Sequence, residues 1–144
     1  MIEFRNVSKT YMKRSAINNI SLTVPLGKII GIVGENGSGK STILKLIAGL
    51  SYPTSGSVTV GGQTANRRIS KLVSFLPEQD SFYSLFTVSE ALAFQASQFA
   101  DFNTAKAEEI MMYMQLEPDK KIRDLSTGNR GRLKIVLTLA REVP

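Results

Sequence analysis

The 144-residue chain contains no cysteine and no histidine. Without cysteine there are no disulfides and no thiolate metal sites, which sets aside an extracellular disulfide scaffold. Without histidine the commonest general base and metal ligand is missing. Long apolar runs are missing as well. The longest stretches, near Lys28–Val33 and Ile135–Ala140, fall far short of a membrane span. The opening residues, MIEFRNVSKTY, have no apolar secretion-signal core. These absences predict a cytoplasmic protein. What is present is ordinary for a globular domain: 42% hydrophobic and 21% charged residues, in a chain long enough to bury a sizeable core. The formal net charge of +6 permits an acidic partner. The basic residues are scattered, with local groups at Asn66–Lys71 and Lys120–Arg132. That spread favours a solvated surface over a nucleic-acid or membrane face.

Along the chain, IEFRNVSKTY and AINNISLTV have β-type composition with partial alternation, which predicts two strands of a small antiparallel sheet. A turn then leads into the continuous apolar run Ile29–Val33, the pattern of a parallel strand buried on both faces. From Lys40 the spacing of Ile43, Leu44, Leu46 and Ile47 becomes helical, and GLSYPTSGSV ends that helix. Short β-like pieces return at Ser57–Val60 and Lys71–Leu76. After Pro77 the composition turns helical. Thr87 and Glu90 have the spacing of a capping box. A second helix carries Ile110, Met111 and Met114 on one stripe, read as core filling rather than a cofactor box. A third is predicted to start near Ser126.

The segment GENGSGKS, Gly34 to Ser41, fits the phosphate-binding pattern G-x-x-x-x-G-K-[ST]. Glycines let backbone wrap closely around phosphate oxygens. Successive N–H groups then face the anion, and the following helix adds its positive dipole end. In this reading the backbone from Asn36 to Thr42, with Gly37, Ser38 and Gly39, cradles the phosphates. Lys40 supplies a point charge to the β- and γ-phosphates, and the Ser41 hydroxyl meets Mg²⁺ held between them. The fixed positions arise by chance in roughly one chain in a hundred of this length. Here they also stand between an expected strand and an expected helix.

A second motif narrows the choice. LSTGNRGRLKI, Leu125 to Ile135, resembles the L-S-G-G-Q signature of ATP-binding cassette (ABC) proteins, with Thr127 in place of the first glycine and Asn129 in place of the glutamine. Other pieces resemble the family in the same order along the chain. Tyr11 follows NVSKT where ABC domains carry an aromatic that stacks on adenine. PTSGSV resembles the turn into the antiparallel sheet. VSFLPEQDSFYSLFTVSEAL resembles the Q-loop, whose glutamine contacts Mg²⁺. Counting from the following Thr-Val puts that role on Glu78, whereas residue type puts it on Gln79, and both stay open.

The resemblance implies an α/β fold. A P-loop NTPase core with an incomplete parallel sheet would occupy residues 28–55 and 71–77. An antiparallel β subdomain would take 1–27 and 56–70, and a helical subdomain with the signature 80–132. It implies a single, partial nucleotide-binding domain over 1–144. Ser126, Gly128 and Asn129 would bind ATP held by the P-loop of a second subunit, arranged head to tail. The family's Walker B carboxylates and switch histidine follow a segment like LTLAREVP, at which this sequence stops. The expectation is an N-terminal portion of an ABC ATPase that holds Mg-ATP and does not cut it efficiently. No catalytic residue is assigned, and Glu142 is not promoted to that role. A separate membrane permease, docking near Glu78–Phe86, would place the protein at the inner face of the membrane. The rival expectation is a soluble ABC protein that uses ATP-driven dimerisation for regulation or to act on ribosomes or nucleic acid. Nucleic acid is the less favoured partner.

Overall fold

The computed structural model describes residues Met1–Val143. They fall into two compact units, one over Met1–Val73 and one from Ser74 onward, each with its own core.

The first unit is built on an antiparallel sheet. Strands β1 (Ile2–Tyr11), β2 (Arg14–Val24), β3 (Ser55–Val60) and β4 (Gln63–Thr64) lie in the order β2-β1-β3-β4. Strict alternation cannot bury both Phe4 and Val7, which are an odd number of residues apart. An irregularity in the β1–β2 register between these two residues, with Asn6 at φ 49, returns Val7 to the inner face. Phe4, Val7, Ile17 and Val58 then pack with Leu46 of helix α1 (Lys40–Ile47). A two-residue turn joins β1 to β2 and sets Tyr11 directly opposite Arg14.

The second unit is helical: α2 (Val88–Gln98), α3 (Thr104–Tyr113) and α4 (Thr127–Leu139). The Thr87–Glu90 capping box forms in both directions, with Thr87 N–H donating to Glu90 Oε2 at 2.7 Å and Glu90 N–H donating to Thr87 Oγ1 at 3.2 Å. Asn103 and Ser126 cap the other two helices. Val88, Leu92, Ala107, Met111, Leu133 and Val136 form the core, and Ile110 and Met114 pack against it. The methionine stripe is therefore packing. Arg141 is buried with both Asp101 carboxylate oxygens at 2.8 and 2.9 Å from its Nε, and its guanidinium lies 3.8 Å from the Phe99 ring centroid.

Two expected strands are absent. Residues 28–35 form no strand, and Ile29 and Val33 are 103% and 92% exposed. Lys71–Leu76 is not a strand either: a 3₁₀ turn covers Arg67–Lys71, and the chain beyond it is irregular. A strand needs a hydrogen-bonded neighbour. Among the described residues all strand pairs are antiparallel and lie within the four-stranded sheet, so neither segment has one.

Solvation of the apolar run separates it sharply from the core. Leu133→Ala, at a fully buried site, should lower the unfolding free energy by about 2–5 kcal/mol. Val33→Ser should stay within about 0.5 kcal/mol. Urea denaturation of the chain measures both, and a Val33→Ser cost of core size would mean that the run is packed.

Candidate nucleotide-phosphate site

The phosphate loop gets its shape from where it ends. Gly39 caps α1 in the left-handed region at φ 95, and a Cβ there would stand 2.5 Å from the carbonyl oxygen of Ala16 on β2. Only glycine meets both demands. Loop and helix are thereby pressed against β2, and Ile43 N–H donates to Gly39 O at 2.9 Å. Upstream, Ser38 N–H donates to Glu35 O at 3.2 Å, closing a turn over Asn36 and Gly37. Residues 34–38 are exposed.

Lys40 folds back over this loop. Its ammonium donates to Gly34 O at 2.8 Å and Glu35 O at 2.7 Å, so the charge is held inside the curve of the backbone. Ser41 is exposed and its hydroxyl makes no hydrogen bond among the described residues, which leaves it free to meet a metal ion or an anion. Thr42 is half-buried and lies within reach of the Tyr11 hydroxyl.

Tyr11, at the end of β1, stands beside this helix start. Its hydroxyl lies 3.4 Å from Ser51 Oγ, and the Lys9 ammonium lies 4.8 Å from its ring centroid. Lys9 is fixed by donating to Tyr52 O at 2.7 Å. The ring is 45% exposed, an aromatic surface available next to the phosphate loop. The hydrogen bond with Ser51 is the largest influence and holds the Tyr11 phenol below its ordinary value; burial opposes it, and Thr42, Lys9 and Lys45 add smaller lowering contributions. Lys40 on the loop, with Lys9 and Lys45 acting on Tyr11, makes a positive setting suited to an anion.

The signature residues belong to the second unit. Ser126 caps α4, its Oγ accepting from Asn129 N–H at 3.2 Å. Gly128 lies in the first turn, where an added Cβ would stand 3.9 Å from Ser126 Oγ, an ordinary contact. Asn129 is half-buried, and its Oδ1 lies 3.4 Å from Arg132 Nη1. Glu78 and Gln79 are also in this unit, both exposed. Lys134 donates to the Glu78 backbone carbonyl at 2.9 Å rather than to its carboxylate, so both candidate metal ligands keep their side chains uncommitted. Glu142 accepts from Asn103 Nδ2 at 2.7 Å, a structural use of that carboxylate.

Asp80 is a residue that sequence reasoning missed. Its carboxylate lies 3.0 Å from Arg130 Nε and 3.1 Å from Lys134 Nζ. The Arg130 contact is ionic rather than an aligned hydrogen bond, because the buried Nε has no hydrogen-bond partner. Arg130 also donates to Leu125 O at 2.8 Å. The segment holding Glu78 and Gln79 is therefore clamped to the helix that Ser126 begins. Two cations at i and i+4 repel on a helix, so Arg130 and Lys134 carried a signal that a carboxylate stands between them. An open pocket of 290 Å³ adjoins this clamp, lined by Phe75, Phe82, Tyr83, Phe86, Phe94 and Lys134.

The Tyr11 environment has a testable consequence. The lowered phenol value means that the stabilisation from its ionised form is fully present above the unfolded-chain value and is lost as pH falls from there through the folded one. A near-ultraviolet titration, with Tyr11→Phe subtracted, should put its midpoint below the ordinary value of 10.0. Ser51→Ala should move it up. A midpoint that ignores Ser51 would contradict this hydrogen bond.

Comparison with known proteins bears on the family and the fold. The family model described as ABC transporter matches residues 17–144. The ABC transporter ATP-binding protein YtrB of Bacillus subtilis is 32% identical over 97% of this chain and 49% of its own length. The energy-dependent translational throttle protein EttA of Haemophilus influenzae is 32% identical over 98% of this chain and 25% of its own. A dimeric ATP-binding cassette solved in a post-hydrolysis state with ADP and Pi superposes with a TM-score of 0.86 at 27% identity, over 100% of this chain and 71% of that one. The chain spans about half the length, or less, of these curated relatives. On this evidence the chain belongs to the ABC transporter family of ATP-binding proteins and has its P-loop NTPase fold.

Proposed function

We propose that the chain is the nucleotide-holding part of an ABC transporter ATP-binding subunit. The observation that carries this reading is the loop itself, a glycine-shaped curve of backbone ended by Gly39 with Lys40 folded into it. Lys40 would exchange the Gly34 and Glu35 carbonyls for phosphate oxygens, acceptors that bear charge and bind an ammonium more strongly. The N–H groups from Asn36 to Thr42 would hold the β- and γ-phosphates, with the positive end of α1 behind them. Tyr11 would stack on adenine, a kind of contact worth about 1–3 kcal/mol per base. Mg²⁺, when bound, would neutralise charge between the phosphates, with Ser41 as one ligand and Gln79 or Glu78 as another. The uncommitted Ser41 hydroxyl fits that role.

Ser126, Gly128 and Asn129 would serve the ATP of a second subunit from the start of α4. The similarity to a dimeric cassette supports that arrangement. A separate permease would dock at the aromatic pocket around Phe82–Phe86, next to the Asp80 clamp. No helix among the described residues is long and apolar enough to cross a membrane. Hydrolysis would belong to the whole protein, and efficient turnover is not expected of this chain by itself. The similarity to a translational throttle protein supports a second reading, in which ATP-driven dimerisation serves regulation rather than transport.

Calorimetric binding of Mg-ATP, with a turnover assay alongside, tests the site. Lys40→Ala should weaken binding by about 1.5–3 kcal/mol, the worth of a charge-assisted hydrogen bond, with negligible turnover in either protein. Binding that ignores Lys40 would overturn the phosphate site. Turnover that needs Lys40 would mean that a catalytic base lies within these residues.

A further inference from the structure

We propose that Arg14 is a second phosphate-binding cation of this site, brought by β2 to the middle of the loop at Gly37. The proposal rests on the nucleotide reading of the loop and adds a residue that the sequence motifs do not contain.

Arg14 is the first residue of β2 and pairs across the hairpin with Tyr11. Its Nη2 lies 3.2 Å from the point where a Cβ on Gly37 would stand, so the guanidinium rests against bare backbone in the middle of the loop. A side chain at 37 would push it away, and Gly37, at φ 86, is already in a conformation that other residues rarely adopt. Position 37 therefore has two reasons to be glycine, and one of them is room for Arg14.

Arg14 is exposed and forms no ion pair or hydrogen bond among the described residues. Glu35 is the acidic residue of the same loop, and the two are not paired. A guanidinium has five N–H donors in a rigid fork. Lys40 already uses two of its three donors on the carbonyls of Gly34 and Glu35, whereas those of Arg14 are uncommitted. The fork matches phosphate oxygens, often in a bidentate contact. The tip of one hairpin thus carries an aromatic ring for a base and a guanidinium for the phosphates, on directly paired residues. The ligand this suits is a nucleoside di- or triphosphate. The free nucleoside would gain nothing from Arg14.

The experiment measures ATP affinity by calorimetry, and adenosine affinity by competition, for the chain and for Arg14→Ala, Arg14→Lys and Lys40→Ala. Arg14→Ala should weaken ATP on the order of tenfold, leave adenosine unchanged and leave the thermal midpoint unchanged. Arg14→Lys should recover part of the loss, and added salt should narrow the gap between Arg14→Ala and the parent chain. If Lys40→Ala loses ATP while Arg14→Ala binds like the parent, the loop reading stands and this proposal falls. Equal losses of ATP and adenosine in Arg14→Ala would also overturn it, because Arg14 would then be shaping the loop rather than binding phosphate. If neither variant changes ATP binding, the loop reading fails and the proposal fails with it.

Discussion

At Gly39 the chain turns through the left-handed region while pressed against the Ala16 carbonyl, and the rest of the first unit's site follows from that contact. It fixes where the loop stops and α1 begins, so Lys40 enters as the first residue of the helix with its side chain reaching back over the loop. It also fixes which strand stands behind the loop. Because β2 is that strand, the hairpin tip lies close to the loop, and Tyr11 and Arg14 come with it. The sheet supports this from the other side. Leu46, fully buried in one core with Phe4, Val7 and Ile17, holds α1 to β1 and to β2, the strand that Gly39 touches. Adding even a methyl at 39 would open the contact and shift all of these groups together.

The second unit depends in the same way on α4. Its buried face, Leu133, Val136 and Leu137, is the middle of the helical core. Its first turn presents Ser126 and Gly128. Between them, Arg130 and Lys134 reach to Asp80 and the Glu78 carbonyl. One helix therefore carries the signature residues and anchors the segment with the candidate metal ligands. Lys134 also lines the aromatic pocket beside it.

The features legible in the sequence are those whose causes are local. The capping box at Thr87 and Glu90 and the cap at Ser126 each need only a few adjacent residues, and each forms. Strands β1 and β2 were also legible, although the irregularity that lets Phe4 and Val7 share a face was not, because its only mark is an asparagine at φ 49. The run Ile29–Val33 went the other way. Its composition suits a buried parallel strand, but composition cannot provide a neighbour to pair with. Asp80 and Arg14 were missed for a related reason. Neither is part of a motif, and each acquires its role from a residue distant in sequence, Asp80 from Arg130 and Lys134 and Arg14 from Gly37.

The central claim is that the backbone between Gly34 and Thr42 is an anion cradle whose amides, with Lys40, hold nucleotide phosphate. Amide chemical shifts of the ¹⁵N-labelled chain, titrated with Mg-ATP and separately with adenosine, test it most directly. The account predicts large shifts from Asn36 to Thr42 with ATP and not with adenosine, while the helical core around Leu133 stays still. ATP shifts that avoid the loop, or that adenosine reproduces there in full, would contradict it.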